Sequence, residues 1–429
     1  MNKMPYEHIK EVKDVARKTP IEIFPDPKTA IVIVNQHTGK PNAPLVAVGD
    51  SVAMGQKIAD SKERVSSPVH SPISGKVVKI GNVYSHCAET FVEAIYIEND
   101  GKKTKDKSLS PISISELEKT KSADLLSIIH EAGIIGLGGA GFPTHIKLSP
   151  PAEFPIKNLV VNATEGEPYD TADERLLIEK TENLLKGVKV IKKILGNPKV
   201  TVATKVSKAE AVPKLQEVFA NEPDTTVVVG HFKYQQGDAS VLQKALFGYE
   251  ASPDKRSYES GCIVQNVATI NAIANAVFEG EPLISRVTAF NGEIPQPKNL
   301  LVKIGTPISD IFSQNGIDMA GIGQVVVGGV MMGHSIPTTE APITKRSSSI
   351  IPFKEGRKLP KQTACIHCSK CISACPVKLH PILIYNAIMK PDFEKAEKLW
   401  NKDCIGCGTC SYVCPSHIPL ASTIIASKQ

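Results

Sequence analysis

Apolar and polar positions change rhythm several times along this chain. Over residues 20–100 the apolar runs "AIVIVN", "PLVAVGD", "GKVVKIG" and "FVEAIYIEND" are short and cut apart by Gly, Pro, Asn and Asp. That pattern predicts short strands and turns in a compact β domain. From 113 to 260 the rhythm alternates. "ISELEKTKSADLLSIIHEAGI" has helical spacing and stops at Gly133, "ERLLIEKTENLLKGVKVIKKIL" predicts one amphipathic helix, and "KAEAVPKLQEVFAN" another. Between them "KNLVVNATEGEPYDTAD", "KVTVATKV" and "TTVVVGHF" read as buried strands. Strands alternating with helices predict a mostly parallel sheet with both faces covered. "IVQNVATINAIANAVFEG" predicts a helix entered through an amide-rich turn.

Residues 285–335 return to short strands ("SRVTAFNG", "KNLLVKIG", "GQVVVGG") with one helical piece at "PISDIFSQNG", a small α+β unit. The stretch 336–360 is rich in Pro, Ser, Thr and Lys and reads as a linker. A cysteine-rich module follows.

A length of 429 residues suits about three domains rather than one core. With 22% charged and 41% hydrophobic residues, the composition is that of a folded chain. The net charge of +6 is modest, and no Arg/Lys stripe with interleaved aromatics appears, which argues against a nucleic-acid partner. No apolar run is long enough for a membrane span, and "MNKMPYEHIKEVKD" has no signal-peptide core, so no transmembrane segment of its own is expected.

Eight of the ten cysteines fall between Cys365 and Cys414, in "CIHCSKCISACP" and "CIGCGTCSYVCP". Each run is C-x2-C-x2-C-x3-C-P, the two-cluster ferredoxin pattern. Three thiolates on one tight turn reach three irons of a cube, and the fourth points to the other cluster. Cys365, Cys368, Cys371 and Cys414 are thus assigned to one [4Fe-4S] cluster, and Cys404, Cys407, Cys410 and Cys375 to the second. A zinc reading leaves an awkward third cysteine in each run. Cys87 and Cys262 read as core thiols, and nothing pairs His70, His145 or His334 into a catalytic base.

The loop "GLGGAGFPTHIK" lacks the Gly-Lys-Ser/Thr of a nucleotide-hydrolysing P-loop. Gly136, Gly138 and Gly141 meet the G-x-G-x-x-G spacing, but Pro143 cannot continue a helix interior, so a plain tight turn stands beside a phosphate loop. Asn162, Glu165, Glu167 and Asp173 gather after the next strand, as acceptors for ribose or amide groups or as ordinary surface capping. Lys147 is placed to neutralise a phosphate.

Taken together, "GLGGAGFPTHIKL", "NATEGEPY" and "VQNVAT" resemble the flavin- and NADH-binding core of the complex I flavoprotein subunit. They resemble still more the C subunit of the Rnf complex and its soluble relatives, which share "VGDSVAMGQKIA", "SPVHSPISGKV" and the two ferredoxin runs. The likeness runs from about residue 35 to 418. It implies a multidomain α/β fold: an N-terminal barrel-sandwich-like β domain (1–110), an α/β FMN- and NADH-binding domain (111–283), a small β-grasp-like domain (284–335), the linker (336–360) and a two-cluster ferredoxin-like α module (361–429). It implies that Gly136, Gly138, Gly139, Ala140, Gly141 and Phe142 form the loop against FMN phosphate and NADH, with Lys147 near the phosphate. Asn162, Glu165 and Glu167 would line the flavin ring and nicotinamide, and Gln265, Asn266 and Thr269 would complete the FMN pocket.

The implied function is an NADH dehydrogenase or diaphorase-type subunit passing electrons between NAD(H), FMN and two [4Fe-4S] clusters to or from a partner. Either direction of flow fits. The partners would be other electron-transfer proteins or subunits of a membrane complex, and the location cytoplasmic, free or peripheral on the cytoplasmic face of the membrane. Some features depart from the family. "EGEP" at 165–168 stands for a frequent "ECEP", "KYQQG" at 233–237 for "KYPQG", and "QHTGKP" for "QHIGAP"; the "F-x-G-G-x-H-P" opening and the lysine- and alanine-rich tail are missing. These departures keep a soluble electron-transfer protein open as the second reading, feeding a proline reductase or a cobalamin reductase, with or without direct NADH use.

Overall fold

The computed structural model describes residues 9–249, 257–356 and 360–428. The first eight residues, part of the opening read above for a signal core, lie outside the described residues.

Four strands, Asn158–Ala163, Lys199–Lys205, Thr225–Gly230 and Cys262–Asn266, form an all-parallel sheet in the order 225–230, 199–205, 158–163, 262–266. The central strand shows why. Leu159, Val160 and Val161 are all fully buried, with Leu159 and Val161 in one apolar cluster and Val160 in another. A strand covered on both faces cannot alternate with polar residues. Helices Ala172–Glu179, Thr181–Ile194, Ala211–Phe219, Ala239–Phe247 and Val267–Glu279 supply the cover.

The single helix expected over 174–195 is two helices, because Lys180 leaves helical geometry (φ −132, ψ 30) between them. The second then packs so closely on 267–279 that a Cβ at Gly187 would lie 2.3 Å from the Ile270 carbonyl oxygen. The expected amide-rich turn before the last helix is a strand, 262–266, whose end residue Asn266 caps the helix. The first three strands advance to one side, and the fourth returns to the other side of 158–163. The carboxyl ends of 158–163 and 262–266 therefore sit at a topological switch point, where α/β sheets open a crevice.

Ahead of this unit, an antiparallel four-stranded sheet (Thr29–Ile33, Ser51–Val52, Gly75–Ser85, Thr90–Asn99) packs with a three-stranded one (Ala43–Pro44, Lys57–Asp60, Val69–His70). Ala30, Val32, Ile58, Val77, Ile95 and Ile97 fill the space between them, making a barrel-sandwich.

The stretch 336–360, read as a linker, is built into the fold over its described residues 336–356. Its strand Ser349–Lys354 lies inside a six-stranded sheet, parallel to Ser285–Phe290 and antiparallel to Ile322–Val327. Ile350 and Ile351 are fully buried there, as is Lys345, whose ammonium donates to the carbonyls of Pro68 and Gly133 at 2.7 Å each. Ile21–Ile23 adds an edge strand from the far end of the chain. The helix expected at 307–316 appears as Ile308–Gln314.

The cysteine module is a set of short helices. The helical stretch expected between its two runs is two helices, Pro381–Met389 and Phe393–Lys398, parted at Pro391. The two runs repeat at the level of the backbone. His367 and Ser369 have the same left-handed φ (57 and 59) as Gly406 and Gly408 (70 and 73). In both runs the residue two after the first cysteine turns its N–H onto that sulfur, His367 to Cys365 and Gly406 to Cys404, each at 3.4 Å.

Candidate functional site

The glycine loop is tied at its base and from outside. Gly136 donates to the Phe142 carbonyl at 2.9 Å, Gly141 to that of Gly136 at 3.1 Å, and Leu137 to Thr269 Oγ1 at 2.9 Å. On the outer side Arg346 Nε donates to the Gly139 carbonyl at 2.8 Å and Thr38 Oγ1 to that of Ala140 at 3.0 Å. The N–H groups of Gly138, Gly139 and Ala140 find no acceptor among the described residues. Gly138 approaches helix 267–279 so closely that a Cβ there would lie 3.2 Å from Asn266 atoms. Three adjacent free N–H donors on a loop beside a helix N-terminus suit an anion.

Beside this loop lies a cavity of about 520 Å³, within the roughly 300–1,000 Å³ of small-molecule sites. Gly136, Gly138, Gly139, Ala140, Lys147, Asn162, Glu165, Glu167, Gln265, Asn266 and Thr269 all line it. Gly141 and Phe142 do not; they close the loop behind it. Several lining side chains are already engaged. Asn162 donates to the Gly237 carbonyl at 2.8 Å, and Lys147 Nζ donates to that of Val264 at 2.5 Å. Burial pushes the Lys147 ammonium down to about 8. The amides of Gln235 (both heteroatoms) and Gln265 (Nε2) are buried without partners, which a polar ligand edge would relieve.

The carboxylates differ in character. Glu165 is braced: it accepts from Lys208 Nζ at 2.8 Å and from the Asp173 N–H at 2.6 Å, with Lys13 Nζ 3.8 Å away. Burial alone would raise its pKa, but the Lys208 and Lys13 charges hold it below the usual range. Glu167 accepts from the N–H groups of Met331 and Met332 at 3.1 and 3.0 Å, and burial pushes it up to about 7. Asp173, bonded by Asn266 Nδ2 at 2.5 Å, is also pushed up to about 7, by burial and by the charges of Glu165 and Asp170.

Part of the lining was not foreseen. It carries His86, Cys87, Arg286, His334 and Arg346, from the barrel-sandwich and the six-stranded unit. Cys87, expected in a core, lines the cavity with its sulfur 3.3 Å from His86 Nε2. Cys262 is buried in its strand as expected.

The cysteine module closes the cavity. Ile405 and Cys407 belong to its wall, and Tyr234 Oη donates to the Cys407 carbonyl at 2.8 Å. Within the module, Cys375, Cys404, Cys407 and Cys410 interact electrostatically, as do Cys365, Cys371 and Cys414. Cys368 is exposed. Among the described residues no three Cys, His, Asp or Glu side chains converge on a point for a single metal ion.

Three family models match in order: an RnfC barrel-sandwich hybrid domain over 7–102, a Nuo51 FMN-binding domain over 129–275 and a 4Fe-4S dicluster domain over 364–418. The chain is 38% identical, over 92% of its length and 86% of the relative's, to the C subunit of the proton-translocating ferredoxin:NAD(+) oxidoreductase complex of Clostridium ljungdahlii. It is 34% identical to the Na(+)-translocating counterpart of Acetobacterium woodii, covering 90% of this chain and 87% of that one. The C subunit of the ion-translocating oxidoreductase complex of Pectobacterium carotovorum is 36% identical over 91% of this chain but only 52% of its own, longer length. An NAD+-reducing [NiFe]-hydrogenase chain shares the fold over 74% of this chain and 62% of its own, with a TM-score of 0.50 at 17% identity. With barrel-sandwich, flavin and dicluster segments in that order and likeness to these C subunits along nearly its whole length, the chain belongs to the RnfC family.

Proposed function

We propose that this chain moves electrons between NAD(H), an FMN in the 520 Å³ cavity and two [4Fe-4S] clusters, as the diaphorase-type subunit of an ion-translocating complex. The observation that carries this reading is the shared wall: Cys407, a ligand of the second run, lines the same cavity as the glycine loop. When bound, FMN links two-electron hydride transfer to the single-electron chemistry of the clusters.

The residues divide the remaining work. The free N–H groups of Gly138, Gly139 and Ala140 receive the flavin phosphate, with Gly136, Gly141 and Phe142 holding the loop shut and Lys147 lending charge beside it. Asn162 and Glu165 fix the acidic turn; Glu167, pushed up to about 7, can hold or release a proton at its carboxyl near neutral pH. Gln265, Asn266 and Thr269 complete the pocket from the head of helix 267–279. Tyr234, through the Cys407 carbonyl, holds the module against the cavity and keeps water from the path. The cluster of Cys404, Cys407, Cys410 and Cys375 is then the one beside the flavin. That of Cys365, Cys368, Cys371 and Cys414 faces a partner, in keeping with exposed Cys368.

We read the domains as a barrel-sandwich, an α/β flavin domain, a β-grasp-like unit that takes in strand 349–354, and the ferredoxin-like module. Among the described residues no helix is long and apolar enough to cross a membrane, and we place the chain on the cytoplasmic face, held by its partner subunits.

The test is iron and flavin analysis of the anaerobically purified chain followed by titration with NADH. One FMN and about eight irons per chain, with flavin and cluster absorbance both bleached, support the reading. Clusters that only dithionite reduces would leave an electron wire with a protein donor.

A further inference from the structure

We propose that Arg346 receives the pyrophosphate of the dinucleotide, a role that rests on the reading just given. Arg346 lies across the outer rim of the glycine loop, its Nε bonded to the Gly139 carbonyl at 2.8 Å. The fit is close: at Gly141 (φ +66) a Cβ would lie 2.8 Å from Arg346 Cδ, so a side chain there would push the guanidinium away. Among the described residues its two terminal nitrogens have no hydrogen-bond or ion-pair partner.

The other basic groups around the cavity are each tied to the protein or enclosed. Arg286 is buried and donates from Nη1 to the Lys345 carbonyl at 2.5 Å and from Nε to that of Val287 at 3.2 Å. Lys147 is tied to Val264, and His334 is paired with Glu89. His86 is held neutral by burial and by the Arg346 charge, near 3. Arg286 also lies within electrostatic reach of Asp170 and Asp173, which with Glu165 and Glu167 in the same lining make that part unfavourable for a phosphate. Arg286 keeps Nη2 but is enclosed, whereas Arg346 keeps both terminal nitrogens and is half-buried. A guanidinium fork presents paired N–H groups to phosphate oxygens. The flavin phosphate is the other anion of the same chemistry. The free N–H groups of 138–140 serve that one from within the loop, whereas Arg346 stands on the rim.

The test uses the full chain, loaded anaerobically with clusters and FMN, as wild type, R346A, R346Q and R346K. ADP-ribose, which carries the pyrophosphate without nicotinamide, is the binding probe; NADH oxidation with an artificial acceptor is the second readout. In R346A and R346Q the ADP-ribose Kd and the NADH KM rise about tenfold, the size expected for one charge-assisted bond at a partly exposed site. The change falls on KM rather than kcat, R346K recovers most of it, and the preference for FMN over riboflavin stays. Unaltered ADP-ribose binding in R346A and R346Q overturns the proposal. So does loss of the FMN-over-riboflavin preference with ADP-ribose binding intact, which would assign the guanidinium to the flavin phosphate. A wild type that takes up no flavin, or whose flavin NADH does not reduce, breaks the functional reading instead.

Discussion

Replacing Glu165 with glutamine removes the charge that two enclosed cations share while preserving the shape of the side chain. Glu165, Lys208 and Lys13 have side chains only 4%, 1% and 2% exposed. Truncating one partner of such a buried pair costs about 3–5 kcal/mol, since the other is left without compensation. Two features of this site temper that loss. The amide oxygen can still accept the N–H groups of Asp173 and Glu174, now at 2.6 and 3.3 Å. Asp173, whose ionisation Glu165 opposes, becomes easier to ionise and offers Lys208 a substitute charge. A net loss of about 2–4 kcal/mol is expected, or roughly 5–12 °C in the melting step of an α/β unit of this size. Scanning calorimetry at pH 7.5 measures it, read on the transition that contains the flavin domain because the chain has several domains. The sign with pH follows from the direction of the shift. Glu165 ionises below the usual carboxylate range, so its stabilisation is present above that range and vanishes as pH falls through its folded value. The gap between wild type and E165Q should therefore close in acid. Adding K208M to E165Q should recover most of the loss. An E165Q protein that melts within a degree of wild type at pH 7.5, or a gap indifferent to acid, would refute this account of the network.

Glu167 has the opposite sign. Burial raises it to about 7, so its favourable contribution is complete below the ordinary carboxylate value and lost as pH rises through 7. In the flavin-free protein E167Q should flatten the fall in melting temperature between pH 5 and 8, removing up to about 3 kcal/mol of pH dependence. Gly138→Ala sets a methyl group 3.2 Å from Asn266, the residue that caps helix 267–279 and bonds Asp173. It should lower flavin occupancy at least tenfold while costing only about 1–2 kcal/mol of stability, seen by fluorescence titration and calorimetry together. Cys407→Ser and Cys368→Ser should each leave about four of eight irons. Electron paramagnetic resonance of the NADH-treated proteins should show the remaining cluster reduced in C368S and far more slowly in C407S.

Much of this was legible where chemistry is local in sequence. The two C-x2-C-x2-C-x3-C-P runs match a 4Fe-4S dicluster domain, and the left-handed positions at His367, Ser369, Gly406 and Gly408 show the turns of both runs. The glycine loop and the "NATEGEP" turn also reach the cavity nearly as read. What was hidden depends on pairing between distant segments. Strand 349–354 sits between 285–290 and 322–327, and nothing in "TKRSSSIIPFK" distinguishes a central strand from a linker by composition. Ser347 and Ser349 are fully buried, the Ser347 carbonyl accepting from Thr288 Oγ1 at 2.9 Å. Lys345 is equally enclosed, where a solvated lysine would be expected from its neighbours. That insertion carries Arg346 to the glycine loop, and no local signal could have announced it. The place of Arg286, His86 and Cys87 in the cavity lining was missed for the same reason. Helix breaks at Lys180 and Pro391 mark the other limit, since apolar periodicity continues across both.

The central claim is that the flavin cavity and the second cysteine run form one electron path. Rapid mixing of the loaded chain with NADH under anaerobic conditions, followed at the flavin band and at the broad cluster absorbance, tests it most directly. On a single path the flavin bleaches first and the clusters follow within the same turnover, without any added mediator. Flavin that bleaches while the clusters stay oxidised until a mediator or dithionite is supplied would contradict it.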